Sequence, residues 1–384
     1  MAPSPSVRKM KWRNIPFFLG VPLVALVGVP WYAATAGIAA ADWWLFFAFA
    51  IASGLGITIG YHRLFAHRSF QANRLLTFLG LCFGAAALEQ SALKWASQHR
   101  NHHRYVDTPW DPYSIKQGFW YAHIGWLLFW HQENDYNNVK DLAGDPLIMR
   151  QHRHYGAWAV GFGILLPLAI GAATGHLLGA LLLGVAARLT FVHHTTFCIN
   201  SVCHTFGKAT YDIDATARDH WFVALLTNGE GYHNFHHRFA SDYRNGVRWY
   251  HWDPSKWLIT ALCWVGWAKQ LYRASPQAIL SARAAAERLR IERALARQQA
   301  NPTLAALLEA IRERYASLKQ ALNEWERVER QYRLMRRRVS RTSHAYLHAV
   351  QTDLAARRHA VVEIRRQWVL FVNSHPLIPR AVHI

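Results

Sequence analysis

Apolar positions are distributed in two ways along this chain. Up to about residue 270 they form long unbroken runs, and beyond it they recur at helical spacing among Arg, Glu and Gln. Ile15–Gly37 and Ala41–Gly60 each reach the roughly 20 residues that a helix needs to cross a hydrocarbon core of about 30 Å. Gly156–Thr174 and His176–Val192 make a second such pair. Neither link within a pair carries Lys or Arg, whereas Arg8, Lys9, Lys11 and Arg13 precede the first run and Arg188 stands near the end of the last. Positive charge collects on the cytoplasmic side of membrane helices, so both hairpins are expected to begin and end in the cytoplasm. Leu75–Ala87 is apolar but short and reads as a buried helix within a cytoplasmic cap. Phe119–Trp130 and Trp257–Trp267 are short and Trp-rich, which suits the bilayer interface.

The expected fold is an all-α integral membrane protein with four transmembrane helices in two hairpins. Residues 1–14 form a basic N-terminus, 15–272 the membrane domain and 273–384 an Arg-rich helical tail. In the tail Leu304, Ile311, Leu318, Trp325, Tyr332, Val339 and Tyr346 recur every seven positions, with Leu307, Ala321, Val328 and Met335 as apolar companions. Such a heptad predicts a helical hairpin or coiled coil. Self-association or docking on anionic lipid would be further uses of it.

Composition sharpens this picture. The 384 residues include 43 Lys and Arg against 23 Asp and Glu, a formal charge of +20. Nucleic acid would suit that excess, but no nucleic-acid motif accompanies it, and cytoplasmic membrane faces account for it. The four cysteines form no C-x-x-C pair, which speaks against a disulfide framework or a thiolate zinc site.

The candidate chemistry lies in the 23 histidines. His62 and His67 are spaced H-x4-H; His99, His102 and His103 are spaced H-x2-H-H, and His233, His236 and His237 repeat that spacing. Positions i, i+3 and i+4 share a helix face, so each triplet could aim three imidazoles at one point. Five residues turn about 140° round an α-helix, so His62 and His67 either straddle a helix end or serve different ions. Eight buried imidazoles would each need a polar partner, which metal supplies. Imidazole suits Zn, Cu, Fe and Ni. The ligand number allows two ions, and two redox-active ions behind apolar helices suggest oxygen activation on an apolar substrate. A metal carrier would need ionisable residues inside the spans, and Asp42 and Arg188 are expected near their ends.

These segments resemble the membrane fatty-acid desaturase family, specifically its acyl-CoA (stearoyl-CoA type) delta-9 members. The likeness runs through Gly-Ile-Thr-Ile-Gly-Tyr-His-Arg-Leu-Phe-Ala-His-Arg-Ser-Phe (56–70) and Gln-His-Arg-Asn-His-His-Arg (98–104). It continues in Gly-Phe-Trp-Tyr-Ala-His-Ile-Gly-Trp (118–126), Asn-Ser-Val-Cys-His-Thr-Phe-Gly (200–207) and Gly-Glu-Gly-Tyr-His-Asn-Phe-His-His (229–237). It covers roughly residues 15–272. The resemblance implies a diiron centre that uses O2, four membrane helices and a cytoplasmic cap. It also adds a ninth ligand, His204, and a water-mediated one, Asn200. The implied metal residues are thus His62, His67, His99, His102, His103, His204, His233, His236, His237 and, through water, Asn200. His193, His194 and His123 fall outside that set and read as packing or outer-sphere groups.

The implied reaction removes hydrogen from neighbouring methylenes to give a cis double bond. Small residues at Ala50, Ala52, Ser53, Gly54 and Gly56 would leave room for an acyl chain, or would serve close helix packing. Asp107, Asp111, Asp212, Asp214 and Glu230 are positioned to hold imidazoles from outside. One stretch departs from the family. Where acyl-CoA members carry Trp-Ala-Arg-Asp-His, this chain has Trp95-Ala96-Ser97-Gln98-His99, and a later basic pair is Lys116-Gln117. That thins the charge facing CoA, leaves Lys116 as a head-group contact, and keeps acyl-lipid and acyl-carrier-protein substrates open. No His-Pro-Gly-Gly cytochrome b5 signature is present, so electrons are expected from a ferredoxin, rubredoxin-like or cytochrome b5 type carrier. It would dock on Arg100, Arg104, Arg238 or Arg244. A diiron hydroxylase is the competing enzyme class. The expected location is a bacterial cell membrane.

Overall fold

A computed structural model describes residues 10–129, 136–299, 302–336 and 344–382. The chain divides into two compact units. One comprises residues 1–208 and 215–273, the other 209–214 and 274–384.

The first unit is built on four helices long and apolar enough to cross a membrane: α1 (Trp12–Thr35), α2 (Ala40–Ala66), α5 (Tyr155–Ala173) and α6 (Leu177–His204). Between the pairs lie α3 (Arg74–Ala86) and α4 (Ala92–Tyr105). Arg8 and Lys9, part of the basic N-terminus, lie outside the described residues. α3 is too short to be a span, and it packs on α2 through glycines. A Cβ on Gly84 would meet the Tyr61 ring at 2.2 Å, and one on Gly56 would meet Gly84 N at 2.4 Å.

Two helices run well past their apolar segments. α2 has 27 residues and α6 has 28, about 40 Å each at 1.5 Å per residue. Each therefore outreaches a hydrocarbon core of about 30 Å, and the surplus carries polar chemistry: His62 and Arg63 on α2, Asn200 and His204 on α6. This corrects the reading of Arg188 as standing near the end of its span. Arg188 sits near the middle of α6, fully buried. It donates to Gly184 O at 3.1 Å and Ala86 O at 2.6 Å, and to Gly163 O. Gly161–Leu165 and Ala180–Ala187 are π-widened, and such segments loosen the ordinary backbone ladder.

Past α6 the chain forms loops around three short helices, Trp221–Leu226, α7 (His233–Arg238) and α8 (Pro254–Trp264). A two-residue antiparallel pairing, Gln71 with Lys269 and Ala72 with Ala268, ties the end of this segment to the turn after α2.

The second unit contains α9 (Pro276–Leu295), α10 (Pro302–Arg336) and α11 (His344–Ser374). Leu304 and Ile311 share a cluster with Trp368 and Val372, while Arg357 reaches Glu324 at 2.5 Å. α10 and α11 are therefore antiparallel. The heptad holds on α10, where Leu304, Leu307, Ile311, Leu318 and Val328 are buried. It does not continue through Tyr346, which is exposed on the next helix; Val339 lies outside the described residues.

Candidate metal centre

Nine imidazoles gather in two groups. His62, His67, His99, His103 and His236 form the larger; His102, His204, His233 and His237 form the smaller. Within each group one ligand atom per residue lies within 4.8 Å of all the others.

Local backbone explains the assignment. Gly56–Ala66 is a π-helix, and His67 N donates to His62 O at 3.0 Å. That i→i+5 turn brings residues five apart onto one side, so the H-x4-H pair straddles a helix end and serves a single group. The triplets behave differently from the expectation of one focus each. On α4, His99 and His103 (i, i+4) face the larger group and His102 the smaller. On α7, His233 and His237 (i, i+4) face the smaller group and His236 the larger. Residues four apart are nearly eclipsed on a helix, while one three away lies on the other flank. Each triplet therefore bridges two centres.

The inner nitrogens are all Nε2. His236 Nε2 lies 3.0 Å from His62 Nε2 and 2.9 Å from His103 Nε2, and His67 Nε2 lies 2.8 Å from His99 Nε2. In the smaller group His233 Nε2 lies 3.0 Å from both His204 Nε2 and His237 Nε2, and His102 Nε2 lies 3.2 Å from His237 Nε2. Nitrogens about 2.1 Å from one metal ion and at right angles to each other are about 3 Å apart, so these spacings suit an ion in each group.

The outer nitrogens point the same way. His62 Nδ1 lies 2.8 Å from Glu230 Oε2 and His102 Nδ1 2.8 Å from Asp111 Oδ1. His204 Nδ1 lies 2.6 Å from the Thr216 hydroxyl, which donates to Asp107 Oδ1 at 2.6 Å. The Tyr113 hydroxyl is 3.3 Å from His99 Nδ1. A carboxylate at Nδ1 fixes the proton there, leaving lone pairs crowded at the centre, where only a cation reconciles them. Burial first, then neighbouring imidazoles, pushes His67, His99, His103, His233, His236 and His237 well below the ordinary histidine range. Neutral rings are the form that binds metal.

Arg63, next to His62, anchors the loop that carries α7. It donates to Glu230 Oε1 at 3.0 Å and Tyr243 O at 2.8 Å, and it pairs with Asp253 at 3.0 Å. Burial opposes the Glu230 charge, but His62 and Arg63 outweigh it and hold the carboxyl below its usual range. Of the acids picked out by position, Glu230, Asp111 and Asp107 reach the histidines directly or through Thr216. Asp212 and Asp214 belong to the second unit, where Asp214 pairs with Arg293 and Asp212 Oδ1 accepts from Asp214 N. Tyr113 and Thr216 were not foreseen, because a hydroxyl residue leaves no spacing signature. His193 reaches Ala87 O at 2.7 Å, and His194 lies 3.1 Å from His123; none of the three joins either group.

A cavity of about 450 Å³ with a mostly apolar wall opens beside the groups. His62, His99, His102, His233 and Asn200 line it, as do Ala50, Gly54, Ile57, Phe17 and Phe197. The small residues of α2 divide in role. Ala50 and Gly54 face the cavity, Gly56 packs on α3, and Ser53 donates to Phe49 O at 2.6 Å. Lys116 is exposed and stands off the cavity wall.

The pattern of the fatty acid desaturase family matches residues 41–263. The chain is 42% identical over 258 residues to a probable acyl-CoA desaturase of Schizosaccharomyces pombe, covering 66% of this chain and 52% of that protein. It is 37% identical over 305 residues to acyl-CoA desaturase 1 of Saccharomyces cerevisiae, covering 78% and 59%. It is 35% identical over 262 residues to an sn-1 stearoyl-lipid 9-desaturase of Anabaena variabilis, covering 66% and 90%. The matched stretch thus spans between half and three-fifths of the two yeast proteins.

Proposed function

This chain belongs to the fatty acid desaturase family, and on that premise we propose that it is an oxygen-dependent fatty acyl desaturase. It places a cis double bond, at the delta-9 position, in a saturated chain presented as acyl-CoA. The observation that carries the reading is the pair of imidazole groups on the wall of an apolar cavity.

In this reading the larger group holds one iron. The smaller group holds the other, with Asn200 acting through a bound water. When bound, the iron pair supplies the oxidising power for abstracting hydrogen from an unactivated methylene. The balance is fixed by chemistry: two hydrogens from adjacent methylenes, two protons and two electrons turn one O2 into two waters. The residues of the chain do the positioning. Glu230, Asp111, Tyr113 and Thr216 orient the rings from outside. Methylenes are chemically alike, so the cavity must select the bond, and Ala50 and Gly54 leave space for the chain beside His62.

A carrier of ferredoxin, rubredoxin-like or cytochrome b5 type would supply the electrons. Arg104 and Arg238, exposed and each next to a histidine of the centre, offer an acidic carrier a positive face. Arg100 and Arg244 are already engaged, with Asp141 at 2.7 Å and Asp242 at 2.8 Å. The Lys- and Arg-free link between α1 and α2 orients both termini and the histidine layer to the cytoplasm.

Expression in a desaturase-deficient host, with double bonds mapped by mass spectrometry, tests the reading. Cis delta-9 monoenes are expected, and His236→Ala should abolish them while the protein still inserts in membranes. A hydroxy acid as the main product would overturn it. A second reading, an acyl-lipid substrate, draws on Ser97-Gln98 at the family's Arg-Asp position and on the stearoyl-lipid relative. Turnover of a preformed glycerolipid but not of stearoyl-CoA would establish that alternative.

A further inference from the structure

The chain passes between its two units three times, at 208–209, 214–215 and 273–274. The last passage starts the tail. The first two make residues 209–214 a short excursion into the second unit, taken between His204 and Thr216, whose hydroxyl meets His204 from outside. α9 holds this excursion at both ends. Arg290 donates to Ala209 O at 2.6 Å, and Arg293 pairs with Asp214. The two arginines are three residues apart and share a helix face. Asp214 N donates to Asp212 Oδ1 at 2.9 Å and tightens the turn at its end.

The excursion has a closed base, because Lys208 N donates to Asp219 O at 3.0 Å and Asp219 N to Lys208 O at 2.8 Å. Supports of the smaller histidine group hang from that base. Thr216 meets His204 Nδ1, while its amide and hydroxyl donate to Asp107. Arg218 N donates at 2.7 Å to the carbonyl of Cys203, the residue before His204. Asp219 Oδ1 accepts from Asn234 N at 2.9 Å and Phe235 N at 3.1 Å, in the first turn of α7, and Ala217 O accepts from Asn234 Nδ2 at 2.9 Å. One loop thus steadies the segments that carry His204, His233 and His237, three of the four rings of the smaller group. Through α7 it also reaches His236, but that is one ring of five in the larger group.

Ordering such a loop costs conformational entropy, and a ligand set held in place before its ion arrives binds that ion more tightly. The exposed Arg293–Asp214 pair contributes little alone. The half-buried Arg290 guanidinium adds a charge-assisted bond to a carbonyl, and together the two arginines leave neither end of the excursion free.

We propose that Arg290 and Arg293 are positioning residues for the smaller histidine group, through which the helical tail raises that group's affinity for its ion. The inference rests on the reading that each group holds one iron, and it gives the tail a part in the metal chemistry.

The test titrates full-length, metal-free protein in detergent with ferrous iron, without turnover. In R290Q/R293Q one of the two ions should bind about ten-fold more weakly, the low end of what losing an outer partner costs, while the other stays within about two-fold. The amides of Arg218, Asn234 and Phe235 should exchange hydrogen about ten-fold faster in that variant. R290K/R293K, which can still donate to Ala209 O and pair with Asp214, should restore both readouts. R297Q, a charge removed just past the end of α9, should behave as the wild type does. Unchanged iron binding and exchange in R290Q/R293Q overturn the link and leave the two-ion reading standing. So does an equal loss of both ions, or a loss that persists in R290K/R293K or appears in R297Q. A wild type that takes up fewer than two ions overturns the two-ion reading itself, and the proposal with it.

Discussion

The larger histidine group draws five rings from α2, the turn after it, α4 and α7; the smaller draws four from α4, α6 and α7, with Asn200 nearby on α6. Their supports differ as well. The larger leans chiefly on a buried ion network, Glu230–Arg63–Asp253, with the Tyr113 hydroxyl at His99. The smaller leans on a single loop, which sends Asp111 to His102 and Asp107 through Thr216 to His204. One centre is thus rich in donors and tied to the core, while the other has fewer donors and depends on a loop. A metal pair built this way should not fail symmetrically.

The largest difference should come from the ligands themselves. His233→Ala leaves the smaller group three rings, while His67→Ala leaves the larger group four, as many as its neighbour starts with. Both should lower desaturation by more than about 100-fold, beyond the usual effect of losing an outer partner. Only His233→Ala should release one of the two ions, as read by elemental analysis of purified protein. Equal metal loss in the two variants would remove the asymmetry.

That asymmetry was not legible in the sequence, although the histidines were. The H-x2-H-H spacing marks a shared helix face, but which flank meets which histidine group depends on where α4 and α7 lie across each other. The H-x4-H pair left two placements open, a helix end or separate ions, because the 140° offset holds for an α-helix; Gly56–Ala66 is π-widened, and the helix-end alternative is the one the fold adopts. The four apolar runs were readable because lipid demands length and hydropathy together. Their true ends were not, because α2 and α6 continue as helix after hydropathy falls. In the tail the heptad located α10, but seven-residue spacing carries no mark that Tyr346 belongs to a different helix.

The supports should separate next. Glu230→Gln and Asp111→Asn each remove a carboxylate from an Nδ1, and each should weaken metal binding about 10- to 100-fold. Glu230→Gln also leaves buried Arg63 with Asp253 as its one carboxylate partner. Breaking a buried pair costs roughly 3–5 kcal/mol, so this variant should also melt several degrees lower in metal-free form. Asp111→Asn should melt nearly as the wild type does. Equal melting temperatures would show that the ion network does not favour the larger group.

Acid should then act through both groups, and through the larger one more. Four of its rings and three of the smaller group's, His204 among them at about 3, are held below the ordinary range by burial first and then by neighbouring imidazoles. An unfolded chain protonates these histidines near pH 6.5, while the folded chain keeps them neutral. Stability of the metal-free protein is therefore full above that value and falls as pH drops through it. Each ring contributes at most about 1.4 kcal/mol per pH unit. Thermal melts of chelator-treated protein from pH 8 to 5 should show the decline, and His67→Gln should flatten it. A melting temperature independent of pH would mean that the rings are protonated in the fold.

The smallest effect should come from the outermost atom. Asp107 touches no histidine; it accepts from the Thr216 hydroxyl and amide, and Thr216 meets His204. Its backbone is left-handed, with φ +63°, a conformation that Asn also tolerates. Asp107→Asn therefore keeps the loop and removes only the charge behind the hydroxyl. Two hydrogen bonds from the metal, that change should weaken metal binding by about ten-fold or less, with the loss confined to the smaller group. Thr216→Val, which deprives His204 Nδ1 of its oxygen outright, should cost more than Asp107→Asn. Titration of apo protein with ferrous iron reads both variants on one scale. The reverse order would mean that Asp107 serves the loop and that the Thr216 relay does not steady His204.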